Sequence, residues 1–221
     1  MNKYDLVLLD FDGTLYNTFL GIARSCQNAL LKVLNDYHEN LHDFECCIGP
    51  PLRSCFTDIF GLCDEDADRA VKVFRERYNT KGVLECEPYV GTKDMLERIK
   101  AAGMKTAISS SKPEAMIHKI LGGDGLTDEF DYIVGMKSES DHSTKTDAIL
   151  EVISHYDMDK SRIVLVGDRV YDAEGAANVG IDFIAAMYGF GSDEEFIPYP
   201  CVYKAQTTKE VSDFIEGKET A

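Results

Sequence analysis

The sequence predicts an α/β fold: a doubly wound parallel sheet with a helical domain inserted after its first strand. Three observations predict it. Short apolar runs alternate with helical patterns from Thr92 onward. Two such runs, Leu6 to Leu9 and Ile163 to Val166, end in aspartate with glycine close by. The interval from Leu15 to Glu85 has helical periodicity and no convincing strand.

The first strand is expected over Tyr4 to Leu9, because a continuous apolar run reads as a strand buried on both faces. It leads straight into Asp10-Phe11-Asp12-Gly13-Thr14-Leu15. Strand side chains alternate, yet a turn at Gly13 lets Asp10 and Asp12 converge at the carboxyl end of the strand, where open sheets bind ligands. Taken alone, Asp12-Gly13 also describes an ordinary turn. Two neighbouring carboxylates repel each other, and that cost points to a metal or a proton-transfer role once the rest of the chain supplies partners.

The inserted interval shows apolar residues at helical spacing, as in Ile22, Cys26, Ala29, Leu30 and Val33, then Ala70, Val71, Phe74 and Tyr78. The expected division is therefore a core domain of residues 1–14 and 86–221 and a helical cap of residues 15–85. The chain returns near Glu87-Pro88-Tyr89-Val90-Gly91, where proline and glycine mark a connection. A helical module hinged at the mouth of a site acts as a lid that excludes water and selects substrates. Within it, Gly49-Pro50-Pro51-Leu52-Arg53 is a stiffened loop, and Arg53 is either a contact for an anion or a solvated surface arginine.

Beyond the insertion the expected series is helix Lys93 to Ala102, strand Lys105 to Ser109, helix Pro113 to Leu121 and strand Tyr132 to Val134. It continues with helix Lys145 to Tyr156, strand Arg162 to Val166, helix Tyr171 to Val179 and strand Phe183 to Ala186. Ser109-Ser110-Ser111-Lys112 before Pro113 reads as a phosphate cradle at a helix N-terminus, or as a simple serine cap. Lys145 falls in the first turn of its helix, where the macrodipole disfavours a cation, so either exposure or function explains it. A helical turn beginning at Asp168 places Asp168 and Asp172 on one side.

Composition narrows the chemistry. With 23 Lys and Arg against 39 Asp and Glu, the net charge of −16 repels nucleic-acid backbones and anionic lipid surfaces, so neither nucleic acid nor membrane is expected as a partner. The 7 cysteines form no C-x-x-C pair and no zinc-like cluster, which suits reduced thiols and a cytoplasmic location. No secretory signal is visible, and no apolar run is long enough to span a bilayer. If the strand ends share one sheet edge, Asp10, Asp12, Asp168 and Asp172 come together beside Lys145. Four converging acids require a hard divalent cation, and oxygen donors favour Mg²⁺. The cation and Lys145 then let an acidic site accept a phosphate dianion.

These residues resemble the haloacid dehalogenase-like superfamily. Asp10 to Leu15 is similar to its first motif, Ser110 to its second, Lys145 to its third, and Gly167-Asp168 with Asp172 to its fourth. The insertion resembles the family's type 1 helical cap on a Rossmann-like core. Ser110-Ser111-Lys112-Pro113, Gly49-Pro50-Pro51-Leu52 and Tyr188-Gly189-Phe190-Gly191 look like the phosphoglycolate phosphatase branch, some of whose relatives are called 5′-nucleotidases. Ser109 stays a second claimant to the motif-two position, and Asn17-Thr18 stands where many relatives carry Asp-Ser.

The resemblance implies an Mg²⁺-dependent phosphatase acting on a small phosphorylated metabolite. Asp10 would be the nucleophile that becomes an aspartyl phosphate. Asp12 would be acid and then base, its backbone carbonyl a metal ligand. Ser110, Ser111, Lys145 and Arg53 would hold the substrate; Asp10 and Asp168 would bind the metal, and Asp172 would orient its water or ligand. The alternatives are a 5′-nucleotidase, a pyrophosphatase, and a β-phosphoglucomutase-like phosphotransferase, which would use the same machinery on another acceptor. A dehalogenase would need neither Asp12 nor the cation, and a noncatalytic binding module would not need the intact set.

Overall fold

The computed structural model describes residues 2–137 and 144–218. The chain divides into two compact units, one of Met1–Tyr16 with Pro88–Ala221, the other of Asn17–Glu87. In chain order the strands are β1 (Leu6–Leu9), the two-residue β2 (Tyr16–Asn17) and β3 (Glu87–Pro88), β4 (Lys105–Pro113), β5 (Tyr132–Met136), β6 (Ile163–Gly167), β7 (Asp182–Ala186) and β8 (Tyr203–Ala205). The α-helices are α1 (Phe19–Leu34), α2 (Leu52–Ser54), α3 (Asp64–Tyr78), α4 (Thr92–Ala101), α5 (Glu114–Asp124), α6 (Lys145–Tyr156), α7 (Val170–Val179), α8 (Asp193–Phe196) and α9 (Thr208–Ile215).

The first unit is a six-stranded sheet in the order β5-β4-β1-β6-β7-β8, parallel throughout. Every residue of β1 is buried, which is why it reads as an unbroken apolar run. Leu6 and Leu8 share a core with Ile149 and Val152 of α6 and Ala173 and Ala176 of α7. Burial of each such large aliphatic side chain contributes about 2 kcal/mol. From β1 the chain proceeds outward through β4 and β5, then crosses back to lay β6, β7 and β8 on the other side of β1. The strand order therefore reverses between β1 and β6, the crevice where such sheets bind ligands. The Asp10 amide donates to the Val166 carbonyl at 2.9 Å, which keeps these two strands in register as they end.

Three local expectations are corrected. Strand β4 does not stop at Ser109 but runs to Pro113; Ser109 pairs with Val134 and Pro113 with Met136, so four steps on β4 face two on β5. The strand bulges through Ser110, Ser111 and Lys112. Helix α5 starts at Glu114 after Pro113 and has no side-chain cap, so the serines are neither its cap nor its first turn. Helix α7 starts at Val170, so Asp168 lies in the bend before it and not within it. Strand β8 and helices α8 and α9 complete the unit beyond the expected elements, with the Thr207 hydroxyl capping α9 by accepting from the Glu210 amide.

The second unit is helical apart from the ends of its two crossings to the first, which run through the β2–β3 ribbon. Ala23, Cys26 and Leu30 of α1 and Ala67, Ala70 and Phe74 of α3 are its buried faces. A π-helical turn, Cys55–Ile59, follows α2. No disulfide joins any of the seven cysteines. Among the described residues, no helix is long and apolar enough to cross a membrane.

Candidate active site

Asp10 follows β1 and Asp168 follows β6, so adjacent central strands deliver both carboxylates to the reversal point of the sheet. Asp172 in the first turn of α7 completes the group: one carboxylate oxygen from each of Asp10, Asp168 and Asp172 lies within 4.8 Å of the others, and all three residues are buried. Room for Asp168 comes from Gly13, whose φ of 84° and missing side chain let the backbone pass so close that a Cβ there would stand 2.0 Å from Asp168 Oδ2. Asp168 is held from two sides, by the Thr14 hydroxyl at 3.3 Å on Oδ1 and the Phe190 amide at 2.9 Å on Oδ2. The Tyr188 hydroxyl donates to the Thr14 carbonyl at 3.1 Å, bracing that turn.

Lys145 is the first residue of α6, an end fixed by a capping box in which Thr144 and Asp147 bind each other's backbone amides. Its ammonium lies 2.7 Å from Asp10 Oδ1, 2.6 Å from Asp172 Oδ1 and 2.6 Å from the Ser109 carbonyl. The cation that the helix dipole disfavours is thus compensated by two carboxylates. Burial alone would lower its pKa, but Asp10 and Asp172 outweigh burial and hold it above the ordinary lysine value.

The acids are left with a charge deficit. Burial pushes Asp10 up to about 6 against the opposing pull of Lys145, with Asp172 and Asp12 adding repulsion. Burial, then Asp172 and Asp10, drive Asp168 well above the usual carboxylate range. Three buried carboxylates, two of them on the Lys145 ammonium, form an all-oxygen donor set, the chemistry that suits a hard cation and not a soft one. This arrangement could hold a metal ion.

The other expected residues lie as follows. Asp12 lies outside that three-carboxylate group, and its Oδ1 takes the Lys112 ammonium at 2.8 Å. Ser110 is buried at the β4 bulge and its Oγ accepts from the Lys112 amide at 3.3 Å. Ser109 is still in register with β5, and its buried hydroxyl has no hydrogen-bond partner among the described residues. Ser111 is exposed on the bulge. Arg53 belongs to the second unit, where its guanidinium binds Asp68 and Asp64 at 2.7 Å each. Sequence reasoning gave no role to Lys112, Thr14, Tyr188 or Phe190. The Tyr188-Gly189-Phe190-Gly191 run was a visible signal for the last two; nothing in the chain paired Lys112 with a residue 100 positions earlier.

Residues 7–186 match the family model described as haloacid dehalogenase-like hydrolase. A 5′-nucleotidase of Pseudomonas aeruginosa is 31% identical over 87% of this chain and 87% of its own length. A phosphoglycolate phosphatase of Aquifex aeolicus is 28% identical over 87% of this chain and 89% of its own. Among solved structures, a haloacid dehalogenase-like family hydrolase of Streptococcus pneumoniae superposes with a TM-score of 0.88 at 25% identity, covering 97% of this chain and 99% of that one.

Proposed function

Since the chain belongs to the haloacid dehalogenase-like hydrolases, we propose that this phosphatase hydrolyses a small phosphorylated metabolite through an aspartyl phosphate on Asp10, with Mg²⁺ as cofactor and residues 15–85 as a substrate-selecting cap. The observation that carries this reading is the buried group of Asp10, Asp168 and Asp172, with Lys145 bound to Asp10 and Asp172. A nucleophilic carboxylate must approach an anionic phosphoryl group, and that approach needs concentrated positive charge.

Asp10, Asp168 and the backbone carbonyl of Asp12 would hold Mg²⁺, with Asp172 orienting ligands from behind. When bound, the ion supplies neutralisation of the phosphoryl oxygens. Asp10 attacks phosphorus in line with the leaving oxygen, and the bond from phosphorus to that oxygen breaks as the Asp10 carboxyl is phosphorylated. Asp12 gives the leaving oxygen a proton and then takes one from the water that hydrolyses the acyl phosphate. Lys145 steadies Asp10 and the transferring group together. Ser110, with the Ser111 amide beside it, holds a phosphoryl oxygen. Arg53 would contact substrate through the guanidinium N–H groups that its bonds to Asp64 and Asp68 do not use.

Phosphoglycolate is the leading substrate class, supported by the Aquifex aeolicus relative; a nucleoside 5′-monophosphate is the second, supported by the Pseudomonas aeruginosa relative. Phosphate release from phosphoglycolate, nucleoside monophosphates, sugar phosphates and pyrophosphate, with and without Mg²⁺ and with Asp10→Asn as control, tests both. Release that ignores Mg²⁺ or survives the substitution overturns the mechanism. A requirement for a bisphosphate activator would mark a phosphotransferase instead.

A further inference from the structure

Lys112 is a buried lysine in the middle of a strand bulge, a costly place for a charge unless its site uses it. Its Nζ lies 2.8 Å from Asp12 Oδ1 and 5.5 Å from the centre of the Phe11 ring, and its amide donates to Ser110 Oγ. One residue therefore ties the Asp12 carboxylate to the bulge that carries Ser110. The bulge is what makes the reach possible, since in an unbroken ladder Lys112 would stay in register with β5.

Asp12 stands two positions from Asp10, beside a group already holding three carboxylates. Left to itself, its side chain would either be repelled into solvent or be drawn onto the cation the group binds. In neither place could it meet water approaching an acyl phosphate on Asp10. We infer that Lys112 is the positioning residue for the hydrolytic half-reaction: it holds the Asp12 carboxylate clear of the acid group and aimed at the attacking water. In that step the water oxygen bonds to phosphorus, the bond from phosphorus to the Asp10 oxygen breaks, the water proton passes to Asp12, and inorganic phosphate leaves. This inference rests on the aspartyl-phosphate reading above.

The test is stopped-flow release of nitrophenolate from p-nitrophenyl phosphate, a probe whose leaving group needs no proton, using the full chain with Mg²⁺. In wild type, release that depends on Mg²⁺ and is lost in Asp10→Asn sustains the underlying reading; its absence defeats that reading separately. In Lys112→Met, phosphorylation of Asp10 should remain fast while turnover falls about 100-fold, the scale of one positioned acid–base group. The result is a burst of one nitrophenolate per chain and a phosphorylated enzyme trapped by acid quench. Lys112→Gln, a second variant that keeps a polar donor on a shorter stem, should show the same burst with a smaller loss, and Lys112→Arg should recover part of the rate. A raised KM without a burst, equal slowing of both phases, or unchanged turnover in the variants overturns the inference. So does wild-type behaviour in Lys112→Gln if Lys112→Met does not fold.

Discussion

Lys145 Nζ and Asp10 Oδ1, 135 residues apart in the chain, lie 2.7 Å from each other in the buried floor of the site. The pair joins the N-terminus of α6 to the end of β1, and Asp172 shares the same ammonium at 2.6 Å. Lys145→Ala removes the compensating cation from two buried acids. In metal-free protein it should destabilise the fold by about 3 kcal/mol, read as a lowered denaturation midpoint, and Mg²⁺ should restore part of that loss. An unchanged midpoint would mean that Lys145 does not compensate buried charge there.

Asp10→Asn keeps the size of the side chain and removes the carboxylate that the proposed mechanism uses as nucleophile. Turnover should fall by at least about 1,000-fold, while the melting temperature stays within about 5 °C of wild type. Steady-state kinetics beside a thermal melt checks both parts, and a variant near full rate would transfer the nucleophile's role elsewhere.

Chelation should abolish activity, and added Mg²⁺ should restore it. Because the three carboxylates repel one another, Mg²⁺ should also raise the melting temperature of the chelated protein in a concentration-dependent way. Asp168→Asn should blunt that rise. Calorimetry in which the variant and wild type gain equally from Mg²⁺ would remove Asp168 from the metal site.

In the second unit, Glu85 accepts from both Arg77 amino groups at 2.8 and 3.0 Å and from Arg24 at 3.1 Å. The Arg77 contact, joined by Arg24, holds the Glu85 carboxyl below its ordinary value of 4.5 despite partial burial. A depressed folded-state pKa means stability that is present above pH 4.5 and lost as the pH falls through the folded value. Glu85→Gln should therefore cost about 1 kcal/mol at pH 7 and progressively less on acidification below pH 4.5. Melts across that range check it, and a gap that widens toward acid reverses the sign.

Much of the site was legible because its members sit where burial leaves a mark on composition. β1 and β6 are apolar at every position because both faces are covered, so Asp10 and Asp168 stand out as the acids that end them. Lys145 was legible by its misfit with the helix dipole. The β4 bulge was not, because a serine run before proline has the same composition whether it caps a helix or widens a strand, and only pairing with β5 separates them. Lys112 was illegible for the same reason: its meaning depends on the path of the bulge. Strand β8 has three residues, too few for a period to emerge.

The reversal between β1 and β6 also dictates when the enzyme comes into being. Thr14 and Asp168, 154 residues apart, meet only after the sixth strand docks against the first. During synthesis the opening strand must wait with one flank bare while most of the polypeptide emerges behind it. A chain lacking that later strand would carry Asp10 without Asp168 and Asp172, so the three-carboxylate group exists only once the sheet is fully assembled.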